Sequence, residues 1–228
     1  MSKNLYSPSM LKSYLSCKYI IFNEVNERKL NLKKKEINVS DAIRLEQGNV
    51  HEEDYFKVLQ DKYSKVIDIK NLDVTRDEKF KKTVECMEQG YDVIRGGYLK
   101  YEDWIGEFDF LEINKNLKSR FGDYSYEVID TKNSPRVKVD HVIQVGMYTY
   151  LLEQVQEALP KNFYIVLKNL EKERVLVSQV YEFFKYNKSK YEHFIKEDLK
   201  KIEPEKCGFC AVCPWIEECE NIWIKKRH

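Results

Sequence analysis

The chain has 228 residues with 43% hydrophobic and 13% aromatic content, enough for a buried core, and only 8 Gly and 5 Pro, which argues against a disordered or repeat chain. Its 39 Lys and Arg stand against 38 Asp and Glu, a net charge of +1. That balance excludes a protein that coats nucleic acid through bulk charge, but not an enzyme that grips a few phosphates in a local groove. No basic start leads into an apolar run and no apolar segment approaches membrane-spanning length, so a soluble cytoplasmic protein is expected.

In chain order, Ser7 and Pro8 suit the N-cap and first position of a helix whose apolar face runs through Met10, Leu11, Tyr14, Leu15 and on to Cys17–Ile21. The run Arg28–Glu36 reads as a solvated linker. Residues 40–60 read as a second helix, carrying Gly48-Asn49-Val50-His51-Glu52-Glu53. A histidine before two glutamates on a helix is ordinarily surface decoration. Thr75-x-x-Glu78 is a capping box for a helix ending near Gly90, with Cys86 in its core. Tyr91–Leu99 then reads as a strand.

The stretch from Trp104 to Leu152 carries the most chemistry. WIGEFDFLEI and YSYEVIDTKN alternate bulky and polar residues, predicting two strands joined by the polar hairpin 114–125, with Asp109 mid-way along the first. With a period of two, Asp130 and Lys132 share a strand face with Val128. An Asp-x-Lys pair is ordinarily an ion pair on a solvated face. Here Asp130 follows the apolar pair Val128–Ile129, where an unpaired carboxylate is costly and a cation is needed; a divalent metal supplies one. After Pro135 the spacing of Val139, Val142, Met147, Tyr150 and Leu151 predicts a helix, on which Gln144 and Tyr148 are four apart and point the same way. NFYIVLK and RVLVSQVY predict two more strands, and 183–201 a lysine-rich amphipathic helix.

The tail holds Cys207, Cys210, Cys213 and Cys219. Four closely spaced cysteines without a secretion signal read as metal binding rather than disulfides, with four-thiolate zinc the simplest occupant. A ferredoxin run would place three residues, not Pro214–Glu218, before the fourth cysteine.

Gly106-x-x-Asp109, Asp130-x-Lys132 and Gln144-x-x-x-Tyr148, in this order on strand, strand and helix, resemble the PD-(D/E)XK nuclease superfamily in its RecB-like branch. The Gly48-x-x-His51-Glu52 helix and the triplet Cys210, Cys213, Cys219 with Pro214 and Trp215 extend the resemblance to AddB nuclease domains and CRISPR-associated exonucleases of the Cas-four type, so that it covers nearly the whole chain. It implies an α/β, restriction-endonuclease-like fold: a central mixed sheet flanked by helices, with N- and C-terminal segments joined by a four-cysteine metal cluster. Residues 1–228 are expected to form a single nuclease domain, 40–182 its core and 1–30 with 202–228 an iron–sulfur clasp.

The resemblance further implies a Mg²⁺- or Mn²⁺-dependent exonuclease acting on single-stranded DNA ends, with protein partners in CRISPR adaptation or DNA repair. His51, Asp109, Asp130 and the Thr131 carbonyl are then the divalent-ion ligands. Lys132 is the group that orients water and stabilises charge, and Gln144 and Tyr148 position nucleophile and strand. Cys17, Cys210, Cys213 and Cys219 are the expected ligands of a structural 4Fe-4S cluster. Cys207 is extra to the family pattern, so it stands as an alternative to Cys17 and keeps zinc open. A catalytically silent DNA-binding or assembly subunit is the alternative function. No Walker A phosphate loop occurs in the chain.

Overall fold

The computed structural model describes residues 6–36 and 38–226. The chain divides into two compact units, Met1–Pro8 with Arg44–Phe184, and Ser9–Ile43 with Lys185–His228.

The helix expected near the start is two helices, α1 (Pro8–Ser16) and α2 (Lys18–Leu30), because Cys17 adopts an extended conformation (φ −162°, ψ 118°) and becomes the N-cap of α2. The expected linker from Arg28 is helical up to Leu30, and Asn31 ends the helix in the left-handed conformation (φ 51°) that asparagine tolerates. Then follow α3 (Val39–Lys62), β1 (Val66–Asp68) and α4 (Arg76–Glu88). The capping box of α4 is formed: Glu78 N–H donates to Thr75 Oγ1 (3.3 Å) and Thr75 N–H to Glu78 Oε2 (2.8 Å).

Where one strand was expected over 91–99, there are two, β2 (Val93–Arg95) and β3 (Tyr98–Tyr101). The break falls at Gly96, whose φ of +66° and whose absent Cβ, which would lie 2.5 Å from Lys70 Cα, both require glycine. The next expected strand also divides, into β4 (Trp104–Glu107) and β5 (Phe110–Asn114). They belong to different sheets, since β4 pairs with β3 while β5 pairs with β2. Asp109 therefore sits at a corner between strands, not mid-way along one. After β5 come β6 (Ser125–Thr131), α5 (Val139–Gln156), β7 (Asn162–Val166) and β8 (Lys172–Leu176).

The larger sheet is mixed and six-stranded, in the order β1-β2-β5-β6-β7-β8, with β1/β2 and β6/β7 parallel and the other pairs antiparallel. On one face, Tyr55, Phe56 and Leu59 of α3 pack against Val93, Phe110, Ile129 and Val166. Each such side chain removed from water contributes roughly 1.5–3 kcal/mol, which anchors α3 to the sheet. By strand alternation Tyr126, Val128 and Asp130 face the opposite side. There α5 crosses β6, with Gln156 Oε1 accepting from Tyr126 N–H (2.8 Å) and its Nε2 donating to Tyr126 O (3.2 Å). The coarse class is thus α/β, a mixed sheet flanked by helices.

In the other unit, the expected helix over 183–201 is α6 (Tyr181–His193), whose first turn lies before the division at Lys185, followed by a π-type turn at Phe194–Asp198 and a 3₁₀ turn at Leu199–Lys201. Tyr14 packs on Tyr191 and Phe194 with ring centroids 5.3 and 5.1 Å apart. Ile20, Cys213 and Trp215 form a small core, with the helix α7 (Ile216–Lys225) following. Among the described residues no helix is long and apolar enough to cross a membrane.

Candidate active site and cysteine cluster

The corner at Asp109 and the end of β6 bring the predicted acidic and basic residues together. Thr131 donates to Asp109 Oδ2 twice, from its backbone N–H (2.7 Å) and from Oγ1 (2.8 Å). Two donors on one carboxylate oxygen fix its rotamer. Thr131, expected to offer its carbonyl, is thus also the residue that holds Asp109. One residue on either side of it, Asp130 is 2% exposed and pairs with Lys132, Nζ to Oδ2 at 2.5 Å. Burial opposes the charge on Lys132, but Asp130 and Asp109 outweigh it, and the ammonium sits above the usual lysine range. The positive charge that a buried carboxylate requires is therefore supplied by the chain itself.

From α5, Tyr148 reaches the same place. Its phenol is pushed up by burial and then by the negative charge of Asp130, so it is a neutral O–H at working pH. Gln144 Nε2 donates to Tyr148 Oη at 3.3 Å, as the four-residue spacing predicted. Gly106 makes this approach possible: a Cβ there would meet Tyr148 Cε1 at 2.6 Å and Pro8 Cδ at 2.9 Å. The glycine of Gly106-x-x-Asp109 is thus a close-packing requirement, not a turn requirement.

His51 lies on α3, buried, with Nε2 3.4 Å from Val166 O. That carbonyl also accepts from Lys132 N–H at 2.8 Å, so one backbone oxygen links His51 to the Lys132 strand end. The residue beside it has a role the sequence did not suggest. Glu52 accepts from Lys70 Nζ (2.7 Å) and Arg95 Nε (3.2 Å), and Arg95 also pairs with Glu53 (2.8 Å) and Asp68 (3.1 Å). Arg95 is 5% exposed at the end of a three-residue strand that is buried throughout. A charged residue within Asp92-Val93-Ile94-Arg95 was the available signal, because an arginine buried there needs acidic partners. The network pins the His51 turn of α3 to β2.

Among the described residues, no three His, Cys, Asp or Glu side chains stand in a ready ligation group. The carboxylates of Asp109 and Asp130 are nonetheless the donor type a hard divalent ion takes, and His51 is linked to their strand end through the Val166 carbonyl.

The cysteines of the second unit line one pocket, although among the described residues no three of them stand in a ready ligation group either. Cys17, Cys207, Cys210, Cys213 and Cys219 all line one cavity of about 10 Å³. Cys207 and Cys210 sulfurs are 3.9 Å apart. Backbone N–H groups already point at two sulfurs, Cys207 N–H at Cys210 (3.3 Å) and Trp215 N–H at Cys213 (3.4 Å). Burial, and after it the other four thiols, push the Cys219 thiol up to about 12. Thiol crowding and N–H···S donors fit a thiophilic metal. Cys86, by contrast, is buried alone in α4.

Compared with known proteins, the chain matches no family model and no curated protein.

Proposed function

We propose that this chain is a metal-dependent DNA nuclease of the RecB-like PD-(D/E)XK type, acting on single-stranded ends, with Arg44–Phe184 as its catalytic unit. The observation that carries the reading is the convergence of Asp109, Asp130, Lys132 and Tyr148 where β4 leaves β5. Asp109, Asp130, His51 and the Thr131 carbonyl are the proposed ligands of Mg²⁺ or Mn²⁺, which when bound neutralises phosphate charge and lowers the pKa of water.

The chain's own groups do the rest. Thr131 holds the Asp109 oxygen, so that carboxylate is pre-aimed before any substrate arrives. The Lys132 ammonium is at hand to orient the attacking water and to meet the negative charge that grows on the phosphate. Tyr148 keeps its proton and donates through Oη, and Gln144 fixes that hydroxyl. Together they position the strand for in-line attack.

The cysteine site is proposed to hold a structural 4Fe-4S cluster through Cys17, Cys210, Cys213 and Cys219. The 3.9 Å separation of Cys207 and Cys210 favours a second occupant, a single zinc ion. With Zn–S near 2.3 Å, a tetrahedral site has sulfur–sulfur edges of about 3.8 Å. Iron and zinc content per chain separates the two.

The activity test is degradation of end-labelled single-stranded DNA with Mn²⁺, wild type beside Lys132→Ala. Label lost by the wild type alone supports the reading. Folded, metal-loaded wild type that leaves DNA intact overturns it and points to a DNA-binding subunit.

A further inference from the structure

Asn23, on α2, is 1% exposed, and its Nδ2 has no hydrogen-bond partner among the described residues. It lines the same small cavity as Cys17, Cys207, Cys210, Cys213 and Cys219. An unmade hydrogen bond on a buried amide costs about 1–3 kcal/mol, so a donor aimed into a cavity wants an acceptor there. The cavity's one carboxylate, Glu205, is on an exposed residue and does not accept from it. The Tyr19 hydroxyl, which also lines it, does not accept from Nδ2 either, and the other side-chain acceptors in the lining are sulfurs. A protonated thiol is a weak acceptor, whereas a metal-bound thiolate or a bridging sulfide carries negative charge and accepts well. The unpartnered amide is therefore complementary to the metal-loaded cavity.

We propose that Asn23 donates its Nδ2–H to the sulfur atoms of the metal centre in this cavity, as a positioning residue that retains the metal and tunes its electronics. This rests on the reading of the cysteines as a metal site, and it does not depend on nuclease activity. No bond is made or broken: the amide offers a hydrogen bond to charge that appears when the thiols give up their protons to bind metal.

The full chain, purified anaerobically, is compared with Asn23→Leu, which keeps the volume without the donor, and with Asn23→Asp, which sets a carboxylate against the sulfurs. Metal content is measured first, then the rate of transfer to a chromogenic chelator. Both variants are expected to release metal at least about 10-fold faster than the wild type, the loss typical of a removed second-sphere partner. If the metal is iron, the midpoint potential of Asn23→Leu falls, because an N–H···S donor favours the more negative reduced state. If it is zinc, substitution by Co²⁺ shows the thiolate-to-metal absorption band of Asn23→Leu moved to lower energy. Release rates within twofold of wild type, with potential or band unchanged, overturn the proposal while leaving the metal site standing. A wild type that carries no metal overturns both.

Discussion

Lys132→Met tests the core of the site through stability alone. The substitution keeps the apolar stem and removes the ammonium 2.5 Å from Asp130 Oδ2, whose residue is 2% exposed. At an effective dielectric near 20, charges at that distance attract by about 7 kcal/mol, most of which offsets the desolvation of the pair. Removing one partner leaves the other buried and uncompensated, at a cost of about 3–5 kcal/mol. The Lys132 side chain is 21% exposed, so water screens part of the loss and the lower end applies.

A loss of about 3 kcal/mol lowers the melting temperature by about 6–12 °C for a domain of this size. Because the folded-state value of Lys132 is raised, its contribution is fully present below the ordinary lysine value of about 10.4 and is lost only as pH rises past the folded value. The difference between wild type and variant should therefore be flat from neutral pH to about 9. Adding Asp130→Asn should restore part of the loss, since the uncompensated charge is then gone. Mn²⁺ should raise the melting temperature of the single variant more than that of the wild type, the ion supplying the charge that Lys132 no longer provides. A metal-free variant that melts within about 2 °C of the wild type would refute the argument that Asp130 depends on this ammonium.

Two further substitutions probe the frame. In Gly106→Ala the new methyl meets the Tyr148 ring at 2.6 Å and the stiff Pro8 ring at 2.9 Å, so a loss of about 1–3 kcal/mol in urea denaturation is expected, with the proposed nuclease activity falling as Tyr148 is displaced; unchanged stability would contradict the packing role. Glu112 is 7% exposed and accepts from Tyr63 Oη (2.8 Å), Lys62 Nζ (3.2 Å) and Lys172 Nζ. Burial opposes its charge, but Lys172 leads the partners that outweigh it and hold the carboxyl below the usual glutamate range. Its stabilisation is therefore present above about pH 4.3 and lost as pH falls through the lower folded value. Glu112→Gln should cost about 3 kcal/mol at pH 7 and flatten the fall in stability between pH 5 and 3, and parallel curves for the two proteins would rule the pair out as a contributor.

Much of the site was legible because its signals are local. Alternation along Tyr126–Thr131 places Asp130 on the face opposite Ile129, and the α5 periodicity sets Gln144 one turn from Tyr148, within hydrogen-bond reach. The Thr75–Glu78 capping box is likewise a contact three residues apart. The break in the first helix at Cys17 was not legible, since nothing in MLKSYLSCKYII interrupts a helical pattern; Cys17 leaves the helix and faces the same cavity as the tail cysteines.

By itself, then, the sequence determined the residue types and their local phase: a charged pair at the end of a buried strand, a Gln–Tyr helix face, and a cysteine-rich tail. Tertiary structure decided where they meet. Asp109 turns the corner only because β4 pairs with β3 in one sheet while β5 pairs with β2 in another. Thr131 finds Asp109 across twenty-two residues, and Arg95 finds Glu52 across forty-three. Phase is set by backbone geometry over a few residues, but partner choice between distant segments depends on which apolar faces bury together, and no local pattern carries that information.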